Sequence, residues 1–277
     1  MSRVLTIALL TLREAVRKRI LIAAAVLGCA FLVLYAVGFH FIAKDMRGPG
    51  VAALMRQLQL NFFTLAGLYT VNFLGLMATV LLPIDTLSGE IGSGVMQTMA
   101  ARPVRRSEIV LGKWIAYCAI VKVYVLALAC GVLVVARMIG HHVPPNVGIG
   151  LPLIAFECVL LVTLSVWGGV RFTTVTNGVV AFGLYGVAFI GGWVEQIGAM
   201  THNTAAQDVG TITSLIMPTE SMWQLAAFHM QPRSAIEMHM SPFSSGTQPS
   251  PAMVAWAVGW GVAVLLGAIA TFRKRPL

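Results

Sequence analysis

The chain has 277 residues, of which 58% are hydrophobic and only 10% are charged. A soluble domain carries about 25% charged residues and covers its core with a largely polar surface, so this composition excludes both a soluble globular protein and a disordered chain. The net charge of +9 would indicate nucleic-acid binding in a soluble protein. In an integral membrane protein it instead indicates which side of the bilayer each loop occupies, and we expect no nucleic-acid partner.

The first 19 residues form a basic amphipathic segment. Arg3, Arg13 and Arg17 recur on one face of a predicted helix, and a row of apolar residues follows another face. Such a segment before a membrane span is typical of a helix that lies in the headgroup layer and contacts membrane lipid. The alternative is that the basic run at 17–19 only fixes the orientation of the first span.

Six segments are apolar enough to cross a bilayer, which requires about 20 residues each. They are residues 20–41, 65–82, 114–136, 151–170, 177–194 and 252–272. The sequence therefore predicts an all-α membrane protein, a single transmembrane domain over residues 1–277 with both termini on the same side. Most Lys and Arg residues fall on that side, so the positive-inside rule predicts cytoplasmic termini.

Residues 83–113 connect the second and third spans and form the predicted cytoplasmic loop. Pro103 ends a short apolar helix in this loop, because the residue before a proline avoids the helical conformation. The loop thus presents an apolar patch beside Arg102, Arg105 and Arg106, an arrangement that suits docking of a partner protein. The alternative is an ordinary basic loop whose arginines only fix the topology.

A motif in this loop resembles the loop motif of type-two ATP-binding cassette exporter permeases. Its residues are Glu90, Gly94, Arg102, Pro103, Arg106, Gly112 and Lys113. The basic segment at 12–19 is similar to the N-terminal elbow helix of that family, and residues 217–223 resemble its outer loop before the last span. Within the family, the chain resembles the permeases associated with copper-enzyme maturation.

The resemblance implies six spans behind an elbow helix at 1–19, a coupling helix in the loop at 83–113, and a set of ATPase-coupling residues. These residues are Glu90, Gly94, Arg102, Pro103, Arg105 and Arg106. It also implies a separate cytosolic ATPase that binds ATP and Mg²⁺, a second permease subunit (identical or different), and a place in the bacterial inner membrane. No cofactor is expected in this chain, since Gly112-Lys113 lacks the upstream glycine and the following hydroxyl of a phosphate-binding loop.

Lys122 and Glu157 are the charged residues predicted to lie well inside the spans. Intramembrane charges are costly unless paired or solvated and often mark a transport path, so both are candidate transport-path residues. The helical rise of 1.5 Å per residue places them about 9 Å apart in depth. We therefore expect each side chain to reach its own interface rather than to pair directly.

Residues 195–251 form the longest predicted soluble segment, on the outer side, and are rich in Met and His. Met238, His239 and Met240 are candidate copper ligands, because thioether and imidazole groups suit copper. Methionine also provides apolar cover for a helix on the membrane surface, and this is the interpretation that we favour, with no metal site.

These features predict a permease subunit that couples ATP hydrolysis in a partner chain to substrate export. The family resemblance also implies that the second and fifth spans line much of the subunit interface, where Gly183, Gly186, Gly191 and Gly192 would allow close helix packing. The alternative function is a membrane scaffold that transmits ATPase-driven changes to a periplasmic partner without moving a solute. An intramembrane enzyme is less well supported, because the chain carries neither a His-Glu-x-x-His nor a Gly-x-Ser-x-Gly motif.

Overall fold

The computed structural model describes residues 3–46, 48, 52–83, 105–237 and 250–274. Within these residues the chain forms ten helices and no strand. The helices are α1 (Arg3–Val16), α2 (Arg19–Asp45), α3 (Ala53–Leu81), α4 (Arg106–Gly140), α5 (Val147–Arg171), α6 (Thr174–Met200), α7 (Thr204–Ile216), α8 (Thr219–His229), α9 (Arg233–Glu237) and α10 (Pro251–Lys274). Six of them, α2 to α6 and α10, are long and apolar enough to cross a membrane, which confirms the predicted all-α fold with six spans.

The second spanning helix differs most from its predicted bounds. The sequence predicts a span at 65–82, whereas α3 begins at Ala53. The predicted span begins too late because polar residues precede it, and in the structure these residues have hydrogen-bond partners. Oγ1 of Thr64 donates to the carbonyl oxygen of Leu60, one turn earlier, at 2.7 Å, and Oδ1 of Asn61 lies 3.1 Å from Nε2 of His142. The helix can therefore carry these polar groups inside the protein without exposing them to lipid.

Helix α4 lies at the centre of the bundle. It packs against α1, α2, α3, α5 and α10, and its Val121 and Val125 side chains are enclosed. By contrast, α2 buries only Gly28, Phe39 and Ala43, and α10 is similarly peripheral. Both peripheral helices leave broad apolar faces for the membrane.

Both ends of the described chain lie at one end of the bundle, which we call the terminal end. Helix α1, within the predicted elbow segment at 1–19, packs along the first part of α4. A Cβ atom at Gly112 of α4 would lie 2.7 Å from Cγ2 of Ile7 in α1. The end of α10 reaches the same place, where Arg106 contacts the backbone of Arg273.

The segment at 195–251 differs from the predicted soluble loop. It contains the last turns of α6 and, among its described residues, the helices α7, α8 and α9. Helix α7 packs along α6, and α8 packs against α5 and α6 with every residue from Thr219 to Ala227 buried. We call α7 and α8 together the inserted hairpin. The prediction of a soluble segment is wrong for α8, because its polar side chains are buried in the protein and do not face water, whereas α7 buries only Gly210 and Ser214.

The turn of the inserted hairpin lies deep in the bundle. Met230, at the end of α8, contacts Gly150 near the start of α5, whereas Met217, at the turn, packs in the cluster that contains Leu161 of the same helix. At 1.5 Å per residue, the stretch of α5 from Gly150 to Leu161 spans about 16 Å. That is about half of a hydrocarbon core of about 30 Å, so the hairpin reaches the middle of the membrane and returns.

Candidate functional site

The predicted coupling residues lie at or before the start of α4. Glu90, Gly94, Arg102 and Pro103 lie outside the described residues. Arg105 directly precedes the helix, and its backbone N–H donates to the Glu108 carboxylate at 2.8 Å. An acidic group in this position satisfies a free backbone donor and interacts favourably with the positive end of the helix.

Arg106 contacts α10. Its Nη1 donates to the carbonyl oxygen of Arg273 at 3.1 Å and to that of Phe272 at 3.5 Å. The last carbonyls of a helix have no partner within it, and a nearby cation stabilises them. The sequence placed Arg106 beside a docking patch; the structure shows that it also joins the first turn of α4 to the last turn of α10.

The start of α4 is thus a junction of three helices. On one side α10 is bound through Arg106, and on another α1 packs so closely that Gly112 leaves no room for a side chain beside Ile7. The loop at 84–104 leads directly into this junction from α3. A displacement of the start of α4 would act on α1 and α10 through these contacts.

Glu157 of α5 lies in the interior of the bundle and is fully buried. Its Oε1 accepts a hydrogen bond of 3.1 Å from Nδ2 of Asn72 in α3. The expectation that Glu157 reaches the nearest interface is therefore wrong, because its helix face is covered by α3. Lys122 lies on an exposed face of α4, and the two candidate transport-path residues do not meet.

Glu220 of α8, which is not one of the six spanning helices, lies close enough to Glu157 for an electrostatic interaction. A Cβ atom at Gly192 of α6 would collide with the side chain of Glu220, so α6 and α8 are in backbone-to-side-chain contact at this point. Glu220 is buried, and the Glu195 carboxylate of α6 lies close enough to it for an electrostatic interaction. We call Asn72, Glu157 and Glu220 the carboxyl site.

Two carboxyl oxygens of this site have no hydrogen-bond partner within the described part of the chain. They are Oε2 of Glu157 and Oε2 of Glu220, and the neighbouring Thr219 Oγ1 has none there either. Among the described residues, no basic side chain forms an ion pair with either carboxyl group. The rings of Tyr69 and Trp223 pack together beside the site with their centroids 5.1 Å apart.

The glycines of α6 have different surroundings. Gly191 and Gly192 contact the inserted hairpin, through Thr213 and Glu220 respectively. The prediction that these two glycines serve a subunit interface is wrong, because their faces are already covered within the chain. A Cβ atom at Gly183 or Gly186 would meet no other atom within 4 Å in the described part of the chain, so there this part of α6 leaves room for another contact.

An open pocket of about 790 Å³ lies at the opposite end of the bundle, where α2, α3 and α4 meet. Its lining includes Arg56, His141 and His142. Burial lowers the pKa of His142, whose ring also bonds to Asn61. The candidate copper ligands Met238, His239 and Met240 lie outside the described residues, and no cluster of metal-binding side chains occurs within the described ranges.

Six membrane-crossing helices, an elbow-like α1 and a carboxyl site within the bundle define a multi-span helical membrane protein with a polar interior. The family model described as ABC-2 family transporter protein matches residues 5–277. The chain therefore belongs to this ATP-binding cassette (ABC) transporter family and is a membrane permease subunit of an ABC transporter. The permeases of this family are not catalytic themselves and normally work with a cytosolic ATPase. A search of curated proteins finds no match to the chain.

Sequence reasoning identified Glu157 but neither of its neighbours in the carboxyl site. A charge inside an apolar run is a visible signal, whereas Asn72 is a common residue 85 positions earlier in the chain. Glu220 lies in a stretch that is too polar to be recognised as buried. Two features of the sequence could have indicated that Glu220 is unusual. Pro218 marks a chain reversal just before it, and no basic residue in the neighbouring sequence could pair with its charge.

Proposed function

We propose that this permease is the membrane subunit of an exporter, driven by a separate cytosolic ATPase that docks on the loop at 83–113. The family match over residues 5–277 is the observation that carries the proposal. In this proposal the ATPase holds ATP and Mg²⁺, this chain holds no cofactor, and both termini lie in the cytoplasm. The excess of Lys and Arg at the terminal end supports this orientation and a place in the bacterial inner membrane.

The junction at the start of α4 supports the coupling step. When the ATPase moves the loop at 84–104, α4 is displaced, and α4 packs against α1, α2, α3, α5 and α10. Five of the other helices thus receive the displacement directly. Helix α6 and the α8 arm of the inserted hairpin follow through α5, against which both pack.

A second permease subunit completes the proposed complex. The open face around Gly183 and Gly186 supports a helix–helix contact at this part of α6, because small residues let two helices approach closely in a membrane. The resemblance of the chain to the permeases associated with copper-enzyme maturation supports a place in that branch, with a periplasmic partner. Met238, His239 and Met240 remain the candidate contacts for copper.

ATPase stimulation in the reconstituted complex tests the coupling role. The permease and its ATPase are placed together in lipid nanodiscs, and ATP hydrolysis is compared for the wild type, Arg102→Glu and Arg105→Glu. We expect both loop variants to lower the stimulation several-fold while the permease still inserts and binds lipid. The matched control is Arg171→Glu, which reverses an exposed charge at the terminal end of α5. Unchanged stimulation in both loop variants would contradict the docking site.

A further inference from the structure

The carboxyl site has the composition of a cation-binding site, but no basic side chain of the described residues forms an ion pair with its carboxyl groups. Glu157 is fully buried and Glu220 is 4% exposed, and each leaves one oxygen without a hydrogen-bond partner among the described residues. Asn72 donates to the other oxygen of Glu157. Two negative charges this close, away from water and without a basic partner, would repel each other and lose their hydration.

Such a site is stable only if a positive charge occupies it. A metal ion requires several ligands at fixed distances, and the described residues contain no cluster of side chains suited to a metal. A proton requires neither a coordination shell nor a cavity, and it removes the charge completely.

We propose that the carboxyl site is a proton-binding site, in which Glu157 and Glu220 are both neutral carboxylic acids while the inserted hairpin is packed against α5. When the hairpin separates from α5, water reaches the two groups and each O–H releases its proton to that water. The resulting carboxylates then repel each other across the α5–α8 contact. Protonation therefore favours the closed arrangement, and this role is independent of how the ATPase docks.

The surroundings of the site contain no compensating positive charge among the described residues. From α3 the site faces Asn72 and Tyr69, from α5 Cys158, and from α6 Tyr185 and Glu195. All of these groups are neutral or acidic. Lys122 of α4 interacts electrostatically with Cys118, one turn earlier on the same helix. It forms no ion pair with either carboxyl group.

Infrared spectroscopy of the full chain in lipid nanodiscs tests the proposal, because a carboxylic acid and a carboxylate absorb at different frequencies. The wild type is titrated from about pH 5 to about pH 10, a range in which an ordinary Glu, with a pKa of about 4.3, is ionised almost throughout. We expect a carboxylic-acid band with two components at neutral pH and its loss at the alkaline end. This measurement needs no substitution and no ATPase.

Three substitutions assign the band. Glu157→Gln and Glu220→Gln should each remove one component. Asn72→Leu should shift the Glu157 component to higher frequency, because a hydrogen bond donated to a carbonyl lowers its stretching frequency. The control is Glu14→Gln, an exposed carboxylate paired with Lys18 at 3.3 Å, which should leave the band unchanged.

Four results would overturn the proposal. The first is the absence of a carboxylic-acid band at neutral pH in the wild type. The second is a band that survives both glutamine substitutions, and the third is a band that only Glu195→Gln removes. The fourth is loss of the band when Na⁺ or K⁺ is added at constant pH, which would make the site one for a monovalent cation.

Discussion

The guanidinium group of Arg106 donates to the carbonyl oxygen of Arg273 across 3.1 Å, so the first turn of the central helix α4 holds the last turn of the chain's final helix. These residues are 167 positions apart. The start of α4 and the end of α10 are therefore joined directly.

Arg106→Gln should loosen the end of α10 without unfolding the bundle. The variant loses charge-assisted contacts to the carbonyls of Phe272 and Arg273, for which we expect a cost of about 1 kcal/mol. Hydrogen exchange of the last turn of α10 should become faster. Arg171→Gln is the control, because it removes a basic residue from the same end of the bundle, and equal exchange in both variants would contradict the assigned contact.

Gly192→Ala should displace the inserted hairpin. The added Cβ atom would collide with the Glu220 side chain and lie 2.9 Å from Nε2 of Gln224, and overpacking of this kind costs about 1–3 kcal/mol. The apparent melting temperature of the purified protein should fall.

Gly259→Ala is the control for this prediction, in the spanning helix α10 with open space around its Cα. Since alanine favours a helix over glycine by about 0.5–1 kcal/mol, this variant should be as stable as the wild type or slightly more so. A similar loss of stability in both variants would show that the hairpin contact is not the cause.

Gly112→Ala should separate α1 from α4. The new Cβ atom would lie 2.7 Å from Ile7 Cγ2 and 3.0 Å from the carbonyl oxygen of Val4, and backbone cannot move aside as a flexible side chain can. We expect α1 to become accessible to protease and the ATPase stimulation of the complex to decrease. Gly148→Ala, in open space at the start of α5, should change neither measurement.

Acid should destabilise the end of the bundle that contains His142. Burial lowers the pKa of this histidine in the folded protein, so the unfolded chain binds the proton more readily. Stability is then unaffected above the unfolded pKa of about 6.5 and falls as the pH drops below that value toward the folded pKa.

Melting temperatures measured between about pH 7 and about pH 5 test this pH dependence, a range that spans the unfolded histidine pKa. His142→Asn should lose less stability on acidification than the wild type, because the buried group no longer titrates. His202→Asn replaces an exposed histidine and should behave as the wild type does. If both variants respond to acid as the wild type does, His142 is not the group responsible.

Hydropathy alone predicted the six spans, because lipid-facing and core-facing residues of a membrane helix are both apolar. It placed the start of α3 too late, since Asn61 and Thr64 are polar residues that find partners inside the protein. It could not identify the inserted hairpin, whose buried face carries Glu220 and Gln224. A polar segment is predicted to be exposed to solvent unless the three-dimensional contacts that bury it are known.

The carboxyl site was predictable only in part for a related reason. The charge of Glu157 within an apolar run marked it as unusual, but its partners come from α3 and α8. Pairing between residues so far apart in the chain depends on how the helices pack. The coupling role of the loop arginines stays a prediction from the family resemblance of their motif, whereas the contact of Arg106 with α10 depends on how the helices pack.

The polar face of α8 also sets an order of assembly during synthesis. A segment with Glu220, Ser221 and Gln224 has no stable place in lipid alone, so it must wait until α5 and α6 have inserted and can receive it. Helix α10 is synthesised after the hairpin, and Nε1 of its Trp256 then donates to the carbonyl oxygen of Leu215 in α7 at 3.0 Å. A span that inserts after the hairpin thus holds the hairpin in place in the finished protein.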